Sequence, residues 1–148
     1  MLIYCVTKER LLMRRVSDFM SKDLYALRSY DSMQKASDDM KSHCVRHIVI
    51  TDNDKLLGIL SDLDIKKWEA CRVIDPSQAH WSVSQCMTKN VHTLKVYDSL
   101  LDAIEWLALG HYHALPVENE SGELTGIITT TDMLHVLMHV LSKENSTL

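Results

Sequence analysis

Glycine, proline and phenylalanine are scarce in this chain, which has four, two and one of them in 148 residues. Four scattered glycines do not form the glycine-rich loop that cradles phosphates in many nucleotide-binding enzymes. Since the chain has eight methionines but one phenylalanine, we expect a core filled by aliphatic and thioether side chains. Hydrophobic residues make up 46% and charged residues 24%, which is typical of a globular protein.

Blocks of positive charge and long apolar runs are also missing. With 16 basic and 20 acidic residues the net charge is -4, which argues against nucleic acid or an anionic membrane as a general partner. No segment approaches the roughly 18 uninterrupted apolar residues of a membrane helix. The apolar run within Met1–Lys8 is too short for a signal peptide. We therefore expect a cytoplasmic protein with no nucleic-acid or membrane partner.

The four cysteines, Cys5, Cys44, Cys71 and Cys86, show neither close pairing nor the spacing of a metal site. We expect reduced thiols in a cytosolic protein, mostly buried as small apolar side chains.

No Cys–His or Ser–His–Asp arrangement has a spacing that suggests a catalytic site, so we do not expect an enzyme. His135 and His139 lie four residues apart, a spacing that can bind a metal ion. No Glu lies between them and no third ligand is near. We expect both to face solvent, opposite an apolar stripe of Leu134, Leu137 and Leu141, and we expect no metal.

The chain does contain an internal repeat, in which three segments return in the same order. The matching pairs are 19–21 with 86–88, 46–50 with 113–117, and 58–64 with 126–132. The last pair reads Gly-Ile-Leu-Ser-Asp-Leu-Asp and Gly-Ile-Ile-Thr-Thr-Thr-Asp. The offset changes from 67 to 68 within a polar turn, where insertions are tolerated. A repeat of this length predicts two structural copies.

Each copy resembles a CBS domain, and the pair is similar to the two-copy regulatory unit called a Bateman module. Three motifs carry the resemblance: Phe-Met-Ser and Cys-Met-Thr, then Arg-His-Ile-Val-Ile and His-Ala-Leu-Pro-Val, then Gly-Ile-Leu-Ser-x-x-Asp and Gly-Ile-Ile-Thr-x-x-Asp. We predict a stand-alone pair whose segments are an N-terminal extension (1–15), a first repeat (16–69), a linker (70–82), a second repeat (83–142) and a tail (143–148).

Each repeat is predicted to fold as β-α-β-β-α, an α+β architecture. Apolar residues at helical spacing mark the helix cores, and dense apolar runs around polar turns mark the strands. The helix stripes are Met33, Ala36 and Met40; Leu100, Ala103, Ile104, Leu107 and Ala108; and Met133, Leu134, Leu137, Met138 and Leu141. The resemblance implies that the two repeats pack about a pseudo-twofold axis and leave ligand clefts between them.

The Ser/Thr-x-x-Asp segments place a hydroxyl and a carboxylate at the start of a helix. A helix N-terminus has unpaired N–H groups and a partial positive charge, so it can hold an anion. An ionised Asp can accept hydrogen bonds from two ribose hydroxyls. The same pattern is also a capping box, in which the Asp turns back on its own helix, and the sequence leaves both readings open. The resemblance implies that five residues bind the ribose and phosphate of an adenosine nucleotide: Ser61, Asp64, Thr129, Thr131 and Asp132.

Four more residues belong to the expected sites by resemblance. Arg46 and His113 stand where related modules often place a basic residue against the phosphate, and a plain surface role is the alternative. Ala26 and Thr93 are expected beside the adenine, where only Thr93 has a side chain that can hydrogen-bond. Asp62 adds a carboxylate where a phosphate would lie in the first repeat. We therefore expect the Asp132 site to be the better phosphate site.

These observations predict a non-catalytic regulatory module that binds AMP, ADP or ATP in the cleft between its repeats. The resemblance also implies a homodimer of such pairs. The alternative is a structural dimerisation or protein-interaction module that binds no ligand.

Overall fold

The computed structural model describes residues 13–53 and 55–144, with side chains described as far as residue 142. The strands and long helices, in chain order, are β1 (Ala26–Arg28), α1 (Met33–Ser42), β2 (His47–Asp52), β3 (Lys55–Ser61), α2 (Asp62–Ile74), β4 (Leu94–Lys95), α3 (Leu100–Ala108), β5 (Ala114–Glu118), β6 (Leu124–Thr129) and α4 (Thr130–Glu144). Short 3-10 helices cover Val16–Asp18, Pro76–His80 and Val83–Gln85. The predicted β-α-β-β-α order is confirmed in both repeats.

Some expectations concern residues outside the described ranges. They are the structure of residues 1–12, which form most of the extension, Asp54 in the turn between β2 and β3, and the tail from residue 145 onward. Within the described ranges, no helix is long and apolar enough to cross a membrane.

Two three-stranded sheets organise the chain, in the orders β1-β2-β3 and β4-β5-β6. β1 runs parallel to β2, with Ala26 opposite Val49, and β2 runs antiparallel to β3. β4 runs parallel to β5, with Leu94 opposite Val117. In each sheet the first strand therefore runs parallel to the central strand, and the predicted α+β fold with two copies is confirmed.

Each sheet has its own apolar core, to which both strands and helices contribute. The first core contains Leu27, Met33, Ala36, Met40, Ile48, Ile50, Leu60, Ile65, Trp68 and Val83. The second contains Val16, Leu94, Leu100, Ala103, Leu107, Leu115, Val117 and Ile128. The stripes predicted for α1 and α3 lie in these cores, apart from a half-buried Ile104 and an exposed Ala108. Trp68 also donates a hydrogen bond from Nε1 to the Gln78 carbonyl at 2.8 Å, which ties the linker to α2.

The chain divides into two compact units that do not follow the sequence repeats. The β1–β3 unit contains residues 23–92 and 122–124, and the β4–β6 unit contains the described parts of residues 1–22, 93–121 and 125–148. Ser21 exchanges two backbone hydrogen bonds with Ile127, at 2.9 and 3.0 Å, and Thr88 does the same with Ile59, at 2.9 and 3.0 Å. The Met-Ser or Met-Thr motif of each repeat therefore pairs with the last strand of the other repeat.

Two glycines make these pairings possible. A Cβ added to Gly58 would lie 2.6 Å from the Thr88 carbonyl oxygen, and one added to Gly126 would lie 2.5 Å from Met20 Sδ. Real Cβ atoms essentially never approach other atoms this closely. Each repeated Gly-Ile-x-Ser/Thr motif therefore needs a glycine at its first position. Residues 87–88 pass directly against Gly58, and residues 20–21 pass directly against Gly126, which leaves no room for a side chain.

Two expectations about side-chain burial are wrong. Cys44 and Cys71 are exposed and Cys86 is half-buried, while Cys5 lies outside the described residues. In α4, only Met133 from the predicted stripe packs on the core, together with Val136. The other four side chains are half or more exposed, because the core contacts a different side of the helix; they are Leu134, Leu137, Met138 and Leu141.

Candidate functional site

The turn from β6 into α4 holds Thr129 and Asp132 in a reciprocal pair. Asp132 Oδ2 accepts hydrogen bonds from Thr129 N at 2.7 Å and from Thr129 Oγ1 at 2.6 Å. In return, Asp132 N donates to Thr129 Oγ1 at 3.3 Å. This is a capping box, which satisfies N–H groups at the start of the helix. The capping reading of the motif is therefore what the structure shows.

Capping uses only one of the two carboxylate oxygens of Asp132. Among the described residues, none donates a hydrogen bond to Oδ1, and the side chain is half-buried. An ionised carboxylate has about four lone-pair positions, so the box orients this group and leaves acceptor capacity on Oδ1. Capping and ligand binding can therefore coexist at this residue.

The residues around this turn are neutral donors and an exposed imidazole. Thr130 donates from its backbone N at 3.1 Å and from Oγ1 at 3.2 Å to the carbonyl oxygen of His113. These bonds fix the start of β5 against the start of α4. The His113 and Thr131 side chains are exposed. The β4–β6 unit thus brings together four predicted site residues: His113, Thr129, Thr131 and Asp132.

The matching turn of the β1–β3 unit has the same box. Asp64 Oδ2 accepts from Ser61 N at 2.9 Å and from Ser61 Oγ at 2.6 Å, and Asp64 N donates to Ser61 Oγ at 3.3 Å. The duplicated motif therefore builds the same local geometry from Ser as from Thr.

The charges beside the two turns differ. Asp62 Oδ2 lies 3.3 Å from Arg46 Nε and 3.3 Å from Lys66 Nζ. Partial burial would raise the pKa of Asp62, but hydrogen bonds and charge from Lys66 and Arg46 outweigh it and lower the pKa below its ordinary value. The cation expected to meet a phosphate is therefore already paired with a carboxylate. Thr130 is the counterpart of Asp62 in the other repeat.

The two residues expected beside adenine lie on the first strands of the sheets. Ala26 is exposed and pairs with Val49. Thr93 precedes β4 and donates from Oγ1 to Glu118 Oε2 at 3.4 Å. Lys95 Nζ reaches the same oxygen at 2.9 Å, and this hydrogen bond raises the pKa of Lys95 above its ordinary value. Within its unit, Thr93 thus takes part in a polar cluster at β5 and has no described hydrogen bond to the Thr129–Asp132 turn.

Sequence reasoning missed Lys66, Lys95 and Glu118. The Asp62–Lys66 pair has the four-residue spacing of helical ion pairs, and that signal could have identified it. The Lys95–Glu118 pair depends on the β4–β5 register, in which these two residues are opposite each other. Its equivalents in the first repeat, Arg28 and Thr51, form no such ion pair.

The described residues contain no group of three His, Cys, Asp or Glu side chains that could hold a metal ion. His135 and His139 are both exposed on α4.

Comparison with known proteins gives one consistent picture. The family model of the CBS domain matches residues 16–70 and 83–139. An uncharacterised 17.7 kDa protein of Acidianus ambivalens is 26% identical over 127 residues, which cover 85% of this chain and 74% of that protein.

Two solved structures are similar throughout most of the chain. CBSX2 in complex with AMP has a TM-score of 0.75 at 22% identity, over 85% of this chain and 97% of that one. The CBS domain pair of protein MJ0100, in complex with 5'-methylthioadenosine and S-adenosyl-L-methionine, has a TM-score of 0.73 at 25% identity, over 84% and 99%.

Proposed function

The chain belongs to the CBS domain family, and we propose that it is a non-catalytic regulatory module that binds an adenosine nucleotide such as AMP, ADP or ATP. The two similar CBS pairs hold AMP in one case and 5'-methylthioadenosine with S-adenosyl-L-methionine in the other. All of these ligands contain adenosine, which supports an adenosine-containing ligand as the class. We also propose a cytoplasmic location, because the sequence has neither a long apolar segment nor a block of positive charge.

The observation that carries the proposal is the geometry of Asp132. Its carboxylate is held in place by Thr129 through Oδ2, while Oδ1 accepts nothing from the described residues. A carboxylate that is held in place and still has unused acceptor positions is suited to a pair of ribose hydroxyls. Its side chain needs no further ordering when the ligand binds. The exposed hydroxyl of Thr131, in the first turn of α4, can donate to a phosphate beside the positive end of the helix, which supports the proposal.

We propose that the Thr129–Asp132 turn is the stronger phosphate site of the two. At the Ser61–Asp64 turn, a phosphate meets the Asp62 carboxylate and competes with it for Arg46 and Lys66. Surface ion pairs of this kind are weak, so the competition reduces binding without forbidding it. At the Thr129–Asp132 turn the corresponding groups are neutral threonines. The exposed His113 imidazole adds a further hydrogen-bonding group beside this turn.

A thermal-shift panel with the full chain tests the proposal. Ligand at about 100 times its dissociation constant should stabilise the folded protein by roughly 2.7 kcal/mol, which corresponds to roughly 5–10 °C for a chain of this size. We expect such a shift with at least one of AMP, ADP, ATP and S-adenosyl-L-methionine, and none with guanosine or cytidine monophosphate. The absence of a shift with every adenosine compound would refute the proposal and favour a ligand-free interaction module.

A further inference from the structure

A polar cluster lies on the face of the β4–β6 sheet that is turned away from its core. Side chains along a strand point alternately to the two faces of a sheet, and the core of this unit takes Leu94, Val117 and Ile128 from the three strands. The residues beside them therefore belong to the opposite face; they are Thr93, Lys95, Glu118 and Thr129. We call Thr93, Lys95 and Glu118 the β4–β5 cluster. It shares a sheet face with Thr129, the residue that holds Asp132.

Hydrogen bonds inside the β4–β5 cluster leave two oxygens as acceptors. Glu118 Oε2 accepts from Lys95 Nζ at 2.9 Å and from Thr93 Oγ1 at 3.4 Å. An ionised carboxylate has no proton to donate, so the Thr93 hydroxyl is the donor of this pair and its oxygen keeps its lone pairs. None of the described residues donates a hydrogen bond to Glu118 Oε1. The cluster therefore presents Thr93 Oγ1 and Glu118 Oε1 as acceptors.

The distance between the cluster and the Thr129–Asp132 turn suits the base of a nucleotide. β5 begins beside this turn, because Thr130 N donates to the His113 carbonyl oxygen at 3.1 Å. From its first residue to Glu118 the strand takes four steps, which is about 13 Å at roughly 3.3 Å per residue. Thr93 lies nearer to the turn, because the parallel register of β4 and β5 places it two residues before Glu118. A nucleoside that forms hydrogen bonds at its ribose and at its base spans a similar length.

Two neighbouring acceptors distinguish the purine bases. The 6-amino group of adenine donates hydrogen bonds, whereas guanine and hypoxanthine carry a 6-oxo group that only accepts. An oxo group placed against two acceptor oxygens leaves all three unpaired, and polar sites reject such ligands strongly. The first repeat has Ala26 and Thr51 at the positions of Thr93 and Glu118, so it lacks this pair of acceptors.

We propose that Thr93 and Glu118 bind the 6-amino group of the ligand's base and so select adenine over purines with a 6-oxo group. Lys95 acts through Glu118, because by holding Oε2 it keeps Oε1 available to the ligand; it is a positioning residue. This proposal rests on the proposed function, since it needs a nucleotide whose ribose lies at Asp132. It adds the residues that determine base specificity and restricts them to the second repeat.

Calorimetric titrations of AMP and inosine monophosphate into the full-length chain test this proposal, because inosine monophosphate has a 6-oxo group in place of the 6-amino group. AMP should bind roughly tenfold to a hundredfold more tightly, as expected for hydrogen bonds to a charged acceptor. Glu118→Gln should reduce this preference by about tenfold, because its amide can turn an N–H toward the 6-oxo group. Thr93→Val and Lys95→Met should also reduce it. A purely structural role would weaken both ligands equally and leave the preference unchanged.

The matched control is Glu120→Gln, the same change at an exposed position just beyond β5, and it should leave the preference intact. Circular dichroism should show that all variants fold like the parent chain. Equal binding of AMP and inosine monophosphate by the parent chain would overturn this proposal but not the proposed function, as would an unchanged preference in both Glu118→Gln and Thr93→Val. An equal loss of preference in Glu120→Gln would also overturn it. A parent chain that binds neither ligand would refute the proposed function together with this inference.

Discussion

Replacing Gly58 with alanine tests the crossing of Met87 and Thr88 over the last strand of the β1–β3 unit. The new Cβ would lie 2.6 Å from the Thr88 carbonyl oxygen, whereas ordinary contact begins at 3.4 Å. The carbonyl would have to retreat by about 0.8 Å, the difference between these two distances. Its partner bonds with Ile59 are 3.0 and 2.9 Å long, and such a displacement stretches them beyond the usual hydrogen-bond range.

The expected loss of stability follows from these contacts. Two backbone hydrogen bonds contribute about 1 kcal/mol each, and forcing extra volume into a packed site costs about 1–3 kcal/mol. Alanine offsets about 0.4–1 kcal/mol of this by restricting the unfolded chain. We therefore expect Gly58→Ala to lower the free energy of unfolding by about 3 kcal/mol, or the melting temperature by roughly 6–12 °C.

Urea denaturation followed by circular dichroism measures this change, and the repeat supplies a comparison. At Gly126 the nearest atom is Sδ of Met20, a flexible side chain, and the nearest backbone atom is the Ser21 carbonyl oxygen at 2.9 Å. Gly126→Ala should therefore destabilise the protein less than Gly58→Ala. A neutral or stabilising Gly58→Ala would refute the close crossing, as would the reverse order of the two variants.

Two further predictions concern single contacts in the β1–β3 unit. Trp68→Phe replaces the buried indole with a smaller ring and removes the 2.8 Å hydrogen bond to the Gln78 carbonyl. Urea denaturation should therefore show a loss of at least about 1–3 kcal/mol, and an unchanged midpoint would contradict this role. The lowered pKa of Asp62 means that its ion pairs contribute stability above the ordinary value of 3.8 and lose it as pH falls through the folded-state pKa. The stability difference between the parent chain and Asp62→Asn should therefore be constant near neutral pH and shrink in acid, and a difference that persists in acid would contradict the pairing.

The fold was largely predictable because its signals are local. The spacing of Met33, Ala36 and Met40 marks the buried side of α1. Because the sequence repeats, an element predicted in one repeat also predicts the equivalent element in the other. Pairings between distant segments were not predictable. Periodicity does not state that Ser21 pairs with Ile127, since any free strand edge offers the same backbone groups.

In the candidate site, too, contacts within a short motif were predictable and contacts between distant residues were not. The Thr129–Asp132 box follows from a four-residue motif, whereas the pairing of Arg46 with Asp62 joins residues 16 positions apart. Helix α4 illustrates a different difficulty: helical spacing predicts that Leu134, Leu137 and Leu141 share a face. Spacing alone does not say whether that face meets the core of its own unit or another surface.

The most direct test of the central claim is a calorimetric titration of AMP into the parent chain and into Asp132→Asn and Asp64→Asn. Asparagine keeps one acceptor oxygen for the capping box but replaces the other with a donor, so the melting temperature without ligand should change little. A charged hydrogen bond contributes about 1.5–3 kcal/mol, so Asp132→Asn should weaken AMP binding by roughly tenfold to a hundredfold. Asp64→Asn should weaken it less. Unchanged AMP affinity in Asp132→Asn, or a larger loss of AMP affinity in Asp64→Asn, would contradict the claim that Asp132 binds the ribose of an adenosine nucleotide.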